Sequence, residues 1–194
     1  MSITNTQDIL NANIADAVCN LQSLGEHGEA LGRAAKLISE TLLGGNKLLT
    51  CGNGGSAADA GHIAAEFVGR FVQDRKAYPS ISLSDSASTV TALGNDYDYD
   101  NVFARQVEGH GKPGDVLLAL TTSGNSTSVI RALQTAKGMG LATIAFIGRD
   151  GGGTKGLADV EFLIRHNASA RIQEAHQVLY HSLCEAVDIA LCKE

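Results

Sequence analysis

The amino-acid sequence predicts an α/β fold with a doubly wound, mainly parallel five-stranded sheet that is flanked by helices. Short apolar runs alternate with helical patterns through the middle of the 194-residue chain, which is typical of repeated βαβ units. Most of the 22 glycines lie between Gly44 and Gly156, where such units need turns. No glycine follows Gly156, and the final stretch carries apolar residues at helical spacing.

An N-terminal helical pair is expected over residues 1–45. Leu10, Ile14 and Val18 recur at helical spacing, and a second helical stretch runs through residues 31–42 to the pair Gly44-Gly45. We expect these helices to pack on the α/β core, so that residues 1–194 form a single domain.

Five apolar runs are the predicted strands of the sheet, and they span residues 48–51, 81–83, 116–120, 143–147 and 160–164. Continuous short apolar runs suit strands that are buried on both faces of a parallel sheet. A long amphipathic helix is predicted from about residue 170 to residue 192, because its apolar residues fall on one stripe.

Composition and charge exclude several classes of function. The chain carries 15 Lys and Arg against 21 Asp and Glu, a net charge of −6, so it lacks the basic face of a nucleic-acid binder. Its four cysteines form no CxxC pair and are interpreted as reduced thiols. No signal peptide is recognised, and no apolar run is long enough to cross a membrane. We therefore expect a cytoplasmic protein without a nucleic-acid or membrane partner.

The first predicted strand ends in a glycine-rich turn, residues 51–56, that leads directly into helical sequence. Backbone N–H groups at a helix N-terminus bind anions, because they are unpaired and the helix dipole is positive there. The spacing of Gly52, Gly54 and Ala57 also satisfies a loose dinucleotide fingerprint, with Asp85 available for a ribose. A tight turn without a ligand is a third interpretation.

A second turn, residues 121–126, follows the third strand and precedes another helical stretch. It holds hydroxyl side chains at Thr121, Thr122, Ser123 and Ser126 around Gly124. Hydroxyl and main-chain N–H groups can hold a phosphate monoester, whereas the lysine of a triphosphate-binding loop is missing. Simple helix capping would explain one of these hydroxyls. Both turns follow strand C-terminal ends, which predicts one crevice for a small phosphorylated metabolite.

Acid and base candidates lie on two predicted helices. His62 and Glu66 are four residues apart and share a helix face, and Gln173 and His181 lie on the C-terminal helix. Together they could bind a zinc-like ion or supply a carboxylate base and an imidazole acid. A solvated ion pair and a half-buried histidine are the alternative interpretations, and periodicity does not show that the helices meet. The pair Asn95-Asp96 is expected in a loop after Gly94.

Four strings resemble the sugar isomerase (SIS) domain family, and within it the isomerases of sedoheptulose 7-phosphate. They are CGNGGSAADAGHIAAEFVGRF at 51–71, Gly94-Asn95-Asp96, TSGNS at 122–126, and RIQE at 171–174 followed by His181. The resemblance covers nearly the whole chain and implies the SIS fold and a homotetramer with active sites at subunit interfaces. The implied reaction converts sedoheptulose 7-phosphate to D-glycero-D-manno-heptose 7-phosphate through an enediol, the first step of ADP-heptose synthesis for lipopolysaccharide.

The resemblance also implies roles for individual residues. Glu66 and His181 match the catalytic pair, with Glu66 as base and His181 as acid in our hypothesis. One Zn²⁺ per subunit is implied, with ligands matching His62, Glu66, Gln173 and His181. The implied substrate-binding residues, with phosphate on the hydroxyl turn, are Asn53, Gly54, Gly55, Asn95, Asp96, Thr121, Thr122, Ser123, Ser126 and Gln173. Some members have Ser at the position of Thr121, and some have an acidic residue where this chain has Ala170.

Two further classes of function stay open at this point. One is a non-catalytic SIS-domain scaffold that binds the replication initiator DnaA, but that relative lacks the catalytic pair which this chain keeps. The other is a nicotinamide-dependent oxidoreductase built on the loose glycine fingerprint. The hydroxyl-rich second turn argues against it, because that turn suits a compact phosphate.

Overall fold

The computed structural model describes residues 5–192 and has the predicted α/β architecture. Its sheet has five parallel strands in the order β2-β1-β3-β4-β5. The strands are β1 (Leu48–Gly52), β2 (Ser80–Ser82), β3 (Val116–Thr121), β4 (Ala142–Gly148) and β5 (Val160–Ile164). The helices are α1 (Thr6–Gln22), α2 (Gly28–Leu43), α3 (Gly55–Val68), α4 (Ala87–Asp96), α5 (Val102–His110), α6 (Thr127–Gly138) and α7 (Ser169–Leu191).

The sheet is doubly wound, as the sequence predicts. One face is covered by α2, α3 and α7, whose core includes Ile38, Phe67 and Tyr180. The other face is covered by α5 and α6, whose core includes Phe103 and Leu133. The strand order reverses between β1 and β3, so the two strand ends open a crevice at the position where ligands of such folds bind.

The connection from β2 to β3 differs from the expected loop around Gly94. Asn95 and Asp96 form the last turn of α4, where the Asn95 side-chain amide donates a hydrogen bond of 2.8 Å to Asp96. Ser86 starts this helix, because its hydroxyl accepts a hydrogen bond from the Thr89 backbone N–H. The expectation that Asn95-Asp96 form a turn was therefore wrong, since a capped helix overrides their local preference for turns.

The N-terminal helices behave differently from one another. Helix α2 buries Ile38 and Leu42 in the core, as expected. Helix α1 instead leaves its apolar stripe exposed, with Leu10 and Ile14 each 52% accessible. The C-terminal end of α1 contacts α7, because the Asn20 side chain donates a hydrogen bond of 2.8 Å to the backbone carbonyl of Arg171. Helix α2 therefore packs on the core along one face, whereas α1 packs Leu21 against it and leaves Leu10 and Ile14 exposed.

Two further findings concern the chain as described. None of the helices within residues 5–192 is long and apolar enough to cross a membrane. The four cysteines, Cys19, Cys51, Cys184 and Cys192, are free thiols, as their spacing predicts.

Candidate functional site

A polar cleft of about 120 Å³ lies at the C-terminal ends of β1 and β3. We call it the hydroxyl cleft, and it is lined by Asn53, Ser56, Leu120, Thr121, Thr122, Ser123 and Ser126. The N-termini of α3 and α6 both lie at this cleft. The structure therefore brings the two predicted glycine turns to one place, with unpaired helix N–H groups beside a set of hydroxyls.

The first turn folds tightly because of its glycines. A side chain at Gly52 would overlap the backbone of Ser56, and Gly54 has a φ of +58°, a conformation that favours glycine. This geometry starts α3 immediately after β1 and turns Ser56 into the cleft. Ser56 belongs to the glycine string but was not predicted as a site residue.

The hydroxyls of the second turn divide into two groups. Thr121 and Ser123 accept hydrogen bonds from the backbone N–H groups of Gly124 (3.2 Å) and Asn125 (3.1 Å), so they stabilise the turn itself. Ser126 occupies the cap position of α6, but its side chain makes no capping hydrogen bond. Its Oγ atom instead lies 2.7 Å from the Asn53 side-chain nitrogen. Simple helix capping therefore does not account for Ser126.

A second group of side chains lies farther along α3, where it packs against α7. We call it the imidazole cluster, and it comprises His62, Glu66, Tyr180 and His181. His62 Nε2 lies 2.9 Å from Glu66 Oε1, and its Nδ1 lies 3.0 Å from the Tyr180 hydroxyl. The His181 ring centroid is 5.1 Å from that of His62. The structure therefore brings together the predicted catalytic pair and one further predicted zinc ligand.

The ring of His181 sits in a partly apolar surrounding. It stacks on Phe71 at 5.6 Å and meets the edge of Tyr180 at 4.7 Å between ring centroids. Burial, together with the neighbouring His62, lowers the pKa of His181 below its usual value, although Glu66 opposes this shift. A neutral imidazole is therefore favoured at neutral pH, and it can both accept and donate a proton.

Gln173, the fourth predicted zinc ligand, lies apart from the imidazole cluster. Its side-chain amide covers Gly55 at the start of α3, next to the hydroxyl cleft. Gln173 and His181 are eight residues apart on α7, which is about 12 Å along the helix axis. Within residues 5–192, no group of three or more His, Cys, Asp or Glu side chains is arranged to hold a metal ion. One chain therefore does not assemble all four predicted ligands.

The C-terminal end of α3, which carries Glu66, is held by a buried ion pair. Arg75 Nε lies 2.6 Å from Asp188 Oδ1 on α7, and the two side chains are 5% and 1% exposed. The same guanidinium donates hydrogen bonds to the backbone carbonyls of Glu66 (2.9 Å) and Phe67 (3.1 Å). These contacts satisfy carbonyls that the helix end leaves free and tie the backbone of Glu66 to α7.

The remaining predicted residues lie outside both groups. Asn95 and Asp96 are exposed and do not line the hydroxyl cleft, although Gly94 beside them packs near the ring of Tyr99. Asp85, the ribose candidate of the dinucleotide alternative, accepts a hydrogen bond of 2.9 Å from Ser82 and lies against Gly61.

Sequence reasoning missed two tyrosines that contact predicted site residues. Tyr180 directly precedes His181 in the chain, and this adjacency could have indicated that its hydroxyl lies near the predicted catalytic pair. The Tyr99 hydroxyl lies 2.7 Å from the side-chain oxygen of Asn53, but 46 residues separate the two in sequence. Nothing in the local pattern around Tyr99 indicates this contact.

Comparisons with known proteins agree with this geometry. The SIS domain family matches residues 14–148 of the chain. Phosphoheptose isomerase from Aliarcobacter butzleri (strain RM4018) is 49% identical over 160 residues, covering 82% of this chain and 85% of that protein. A second phosphoheptose isomerase, from Shewanella sp. (strain ANA-3), is 46% identical over 166 residues, covering 84% of each protein.

Two solved structures show the same likeness in three dimensions. Phosphoheptose isomerase from Neisseria gonorrhoeae aligns with a TM-score of 0.89 at 39% identity, covering 95% of this chain and 100% of that one. A phosphoheptose isomerase from Francisella tularensis aligns with a TM-score of 0.91 at 31% identity, covering 96% and 100%. The likeness thus extends beyond residue 148 to β5 and α7, where Gln173 and His181 lie. On these grounds the chain belongs to the SIS domain family, among the phosphoheptose isomerases.

Proposed function

We propose that this protein is an aldose–ketose isomerase that converts sedoheptulose 7-phosphate to D-glycero-D-manno-heptose 7-phosphate. The observation that carries the proposal is the position of Glu66 and His181 together in the imidazole cluster. Their helices start near the hydroxyl cleft: α3 begins at it, and the Ser169 hydroxyl at the start of α7 lies 3.4 Å from that of Thr122. The phosphoheptose isomerases that resemble the chain support this substrate. The reaction would open ADP-heptose synthesis for lipopolysaccharide, and the free cysteines suit a cytoplasmic location.

The phosphate of the substrate would bind in the hydroxyl cleft. A phosphate monoester offers acceptor atoms only, so it needs donors, and the hydroxyls of Thr122, Ser123 and Ser126 face it together with helix N–H groups. Thr121 supports this turn through its contact with Gly124. We assign the sugar to Asn53, Gly54 and Gly55 of the first turn, and retain Asn95, Asp96 and Gln173 as further contacts to the substrate.

The imidazole cluster would carry out the proton transfers. In the first half of the reaction, the Glu66 carboxylate removes a proton from C1 of the ketose while His181 donates a proton to the oxygen on C2, giving the enediol. In the second half, Glu66 returns its proton to C2, and His181 recovers a proton from the oxygen on C1, leaving an aldehyde. His62 donates to Glu66 and holds its carboxylate in place.

Zinc is part of the proposal because the donor types fit it, but Gln173 lies apart from the other three ligands within one chain, so a neighbouring copy would have to contribute to the set. Two imidazoles, a carboxylate and an amide oxygen, from His62, His181, Glu66 and Gln173, are ligands that Zn²⁺ accepts. When bound, the ion would polarise the carbonyl of the substrate. His62 Nε2 would have to give up the proton that it shares with Glu66, because a metal ion binds a nitrogen lone pair that is free of a proton.

A homotetramer with active sites at the subunit interfaces is proposed on two structural grounds. Ser56 in the hydroxyl cleft and Glu66 are ten residues apart on α3, which is about 15 Å along the helix axis. The exposed apolar stripe of α1 also offers a surface for a second copy of the chain. Both observations favour a site that a neighbouring subunit completes.

Turnover of sedoheptulose 7-phosphate by Glu66→Gln and His181→Ala tests the proposal directly. Each change removes a proton-transfer group, so we expect a loss of about 100-fold or more in kcat. The matched controls are Glu108→Gln and His110→Ala, which change exposed residues of α5 and should leave turnover unaltered. Nearly normal rates in both site variants would overturn the assignment. Thermal shifts with the substrate, NAD and zinc would show which ligand the wild-type protein binds.

A further inference from the structure

A continuous chain of hydrogen bonds runs from the protein surface into the hydroxyl cleft. The Tyr99 hydroxyl donates to the side-chain oxygen of Asn53 at 2.7 Å. The Asn53 side-chain nitrogen donates in turn to Ser126 Oγ at 2.7 Å and to Ser128 Oγ at 3.0 Å. Ser126 and Asn53 line the cleft, whereas Tyr99 lies outside it.

We infer that Tyr99 is a positioning residue that orients the Asn53 amide and thereby directs the Ser126 hydroxyl proton toward the substrate phosphate. This inference rests on the proposed function, since it assigns the phosphate to the hydroxyl cleft. Tyr99 lies outside the four segments that resemble the SIS family, which are 51–71, 94–96, 122–126 and 171–174 with His181. Its role follows from the direction in which each hydrogen bond of the chain runs.

The direction is set by the limited number of protons that each group carries. A side-chain amide has two N–H donors on one end and an acceptor oxygen on the other. Because Tyr99 donates to the oxygen of Asn53, the two N–H groups point at Ser126 and Ser128. Both serine oxygens therefore accept from Asn53, and each serine keeps its own proton to donate elsewhere.

Burial decides where those protons go. Either serine of the pair can donate across the 3.3 Å between Ser126 Oγ and Ser128 Oγ, and we infer that Ser128 does, because it is only 2% exposed whereas Ser126 can donate into the cleft. Ser126 then accepts from Asn53 and from Ser128, which leaves its own proton free to face the cleft. With the Asn53 amide reversed, its oxygen would accept both serine protons, and Ser126 would present lone pairs to an anion.

The segment that carries Tyr99 is anchored to the same helix that Ser126 precedes. Tyr99 begins a short 3-10 turn, Tyr99–Asn101, between α4 and α5. Arg131 on α6 donates a hydrogen bond of 2.8 Å to the Asn101 side chain and lies 3.7 Å from the Asp100 carboxylate. Arg131 therefore fixes this turn relative to α6, which keeps Tyr99 within reach of Asn53.

The test compares Tyr99→Phe with Tyr97→Phe, which removes the hydroxyl of a neighbouring tyrosine of similar exposure. Tyr97 contacts Arg105 rather than Asn53, so it is the matched control. Isothermal titration gives the Kd for inorganic phosphate, and steady-state kinetics give KM and kcat for sedoheptulose 7-phosphate. We expect Tyr99→Phe to raise Kd and KM by about 2- to 10-fold, as befits one hydrogen bond, with kcat unchanged. Tyr97→Phe should leave all three constants unchanged.

A double-mutant cycle with Ser126→Ala tests the route through the serine. If Tyr99 acts through Asn53 and Ser126, adding Tyr99→Phe to Ser126→Ala should not weaken phosphate binding further. Additive losses, or an unchanged Kd in Tyr99→Phe alone, would overturn the inference. If the wild type does not isomerise the sugar but the variants change the phosphate Kd as expected, the proposed function is refuted and the inference is upheld. If the wild type isomerises the sugar but Tyr99→Phe leaves the phosphate Kd unchanged, the proposed function is upheld and the inference is refuted.

Discussion

The hydroxyl of Tyr180 lies 3.0 Å from Nδ1 of His62, at the ring nitrogen that Glu66 does not contact. A carboxylate only accepts hydrogen bonds, so Glu66 requires the proton of His62 to be on Nε2. Nδ1 is then an acceptor, and Tyr180, whose hydroxyl lies 3.0 Å from Nδ1 and 3.5 Å from Asp59 Oδ1, donates to the nearer of the two. Burial, followed by the nearby Asp59 carboxyl, raises the pKa of Tyr180, which keeps its proton in place. Tyr180 therefore selects the tautomer of His62 that supports Glu66.

The variant Tyr180→Phe tests this selection. Without the hydroxyl, His62 can carry its proton on Nδ1, and Glu66 loses its donor. We expect a fall in kcat of about 10-fold, the size seen when a supporting partner of a site histidine is removed. Kinetics with sedoheptulose 7-phosphate measure it, and Tyr78→Phe, a buried tyrosine outside the imidazole cluster, is the control. Full activity in Tyr180→Phe would show that the tautomer is set elsewhere.

Two glycines of the first turn should respond differently to alanine. At Gly55 an added methyl group meets the end of the flexible Gln173 side chain, which can move away. At Gly52 it meets the backbone of Ser56, which cannot move without distorting α3. We expect Gly52→Ala to lower the thermal midpoint strongly and Gly55→Ala to lower it little while turnover falls. Thermal unfolding and kinetics on the same samples separate the effects, and equal losses of stability would contradict this interpretation.

Breaking the ion pair between Arg75 and Asp188 should be costly. Asp188→Asn keeps the shape of the side chain but leaves the buried guanidinium without a counter-charge, at a cost of about 3–5 kcal/mol. Burial raises the pKa of Asp188, but the hydrogen bonds from Arg75, Val72 and Gln73 outweigh it and hold this pKa below its usual value. The pair therefore stabilises the fold above the unfolded-state pKa of about 4 and loses this effect as the pH falls further.

Urea unfolding of wild type and Asp188→Asn at several pH values measures this contribution. The difference between the two should be largest near neutral pH and should shrink under acid conditions. Glu185→Gln, on an exposed position of the same helix, is the matched control and should show no such difference. A constant difference across the pH range would contradict the assignment.

His176 should make the protein sensitive to mild acid. The residue is fully buried against Phe146, and neither ring nitrogen has a hydrogen-bond partner within residues 5–192. Burial lowers its pKa from 6.5 to about 3. Between these two pH values the unfolded chain therefore binds a proton at His176 and the folded chain does not. Stability should therefore fall by about 1.4 kcal/mol per pH unit as the pH drops below 6.5. His176→Phe should flatten this dependence in urea unfolding, whereas exposed His110→Gln should not.

The apolar stripe of α1 predicts an effect on assembly. Ile14→Glu places a charge on a face that the single chain leaves 52% exposed, so it should not disturb the folded subunit. If this face contacts a second copy, the variant should have a lower mass in light scattering and should lose turnover. Ala12→Glu, which adds the same charge at an exposed position on the opposite side of α1, is the control for charge alone. An unchanged mass in Ile14→Glu would remove α1 from the interface.

Much of the fold could be predicted because its signals are local. The strand at 116–120 and the helix from 170 differ by only a residue or so from β3 and α7, since apolar periodicity reports burial directly. The helices α4 and α5 were not predicted, because their amphipathic pattern is short and polar residues crowd their ends. Asn95 and Asp96 show how a capped helix can include residues that prefer turns.

The candidate site was predictable only in part, for a geometric reason. Glycine turns and the pairing of His62 with Glu66 are encoded by neighbours in sequence, and the structure keeps both. Contacts of Tyr99 with Asn53 and of Gln173 with Gly55 join segments far apart in the chain. Such contacts depend on how helices and loops pack, which periodicity does not report.

Helix α3 places a constraint on how the chain can change in length. It is the rigid connection between Ser56 in the hydroxyl cleft and His62 and Glu66 in the imidazole cluster. One residue inserted between Ser56 and His62 would turn the later part of the helix by about 100° and advance it by about 1.5 Å. His62 would then leave Tyr180, and the cluster would come apart. Insertions and deletions should therefore be tolerated in the surface loops but not within this helix.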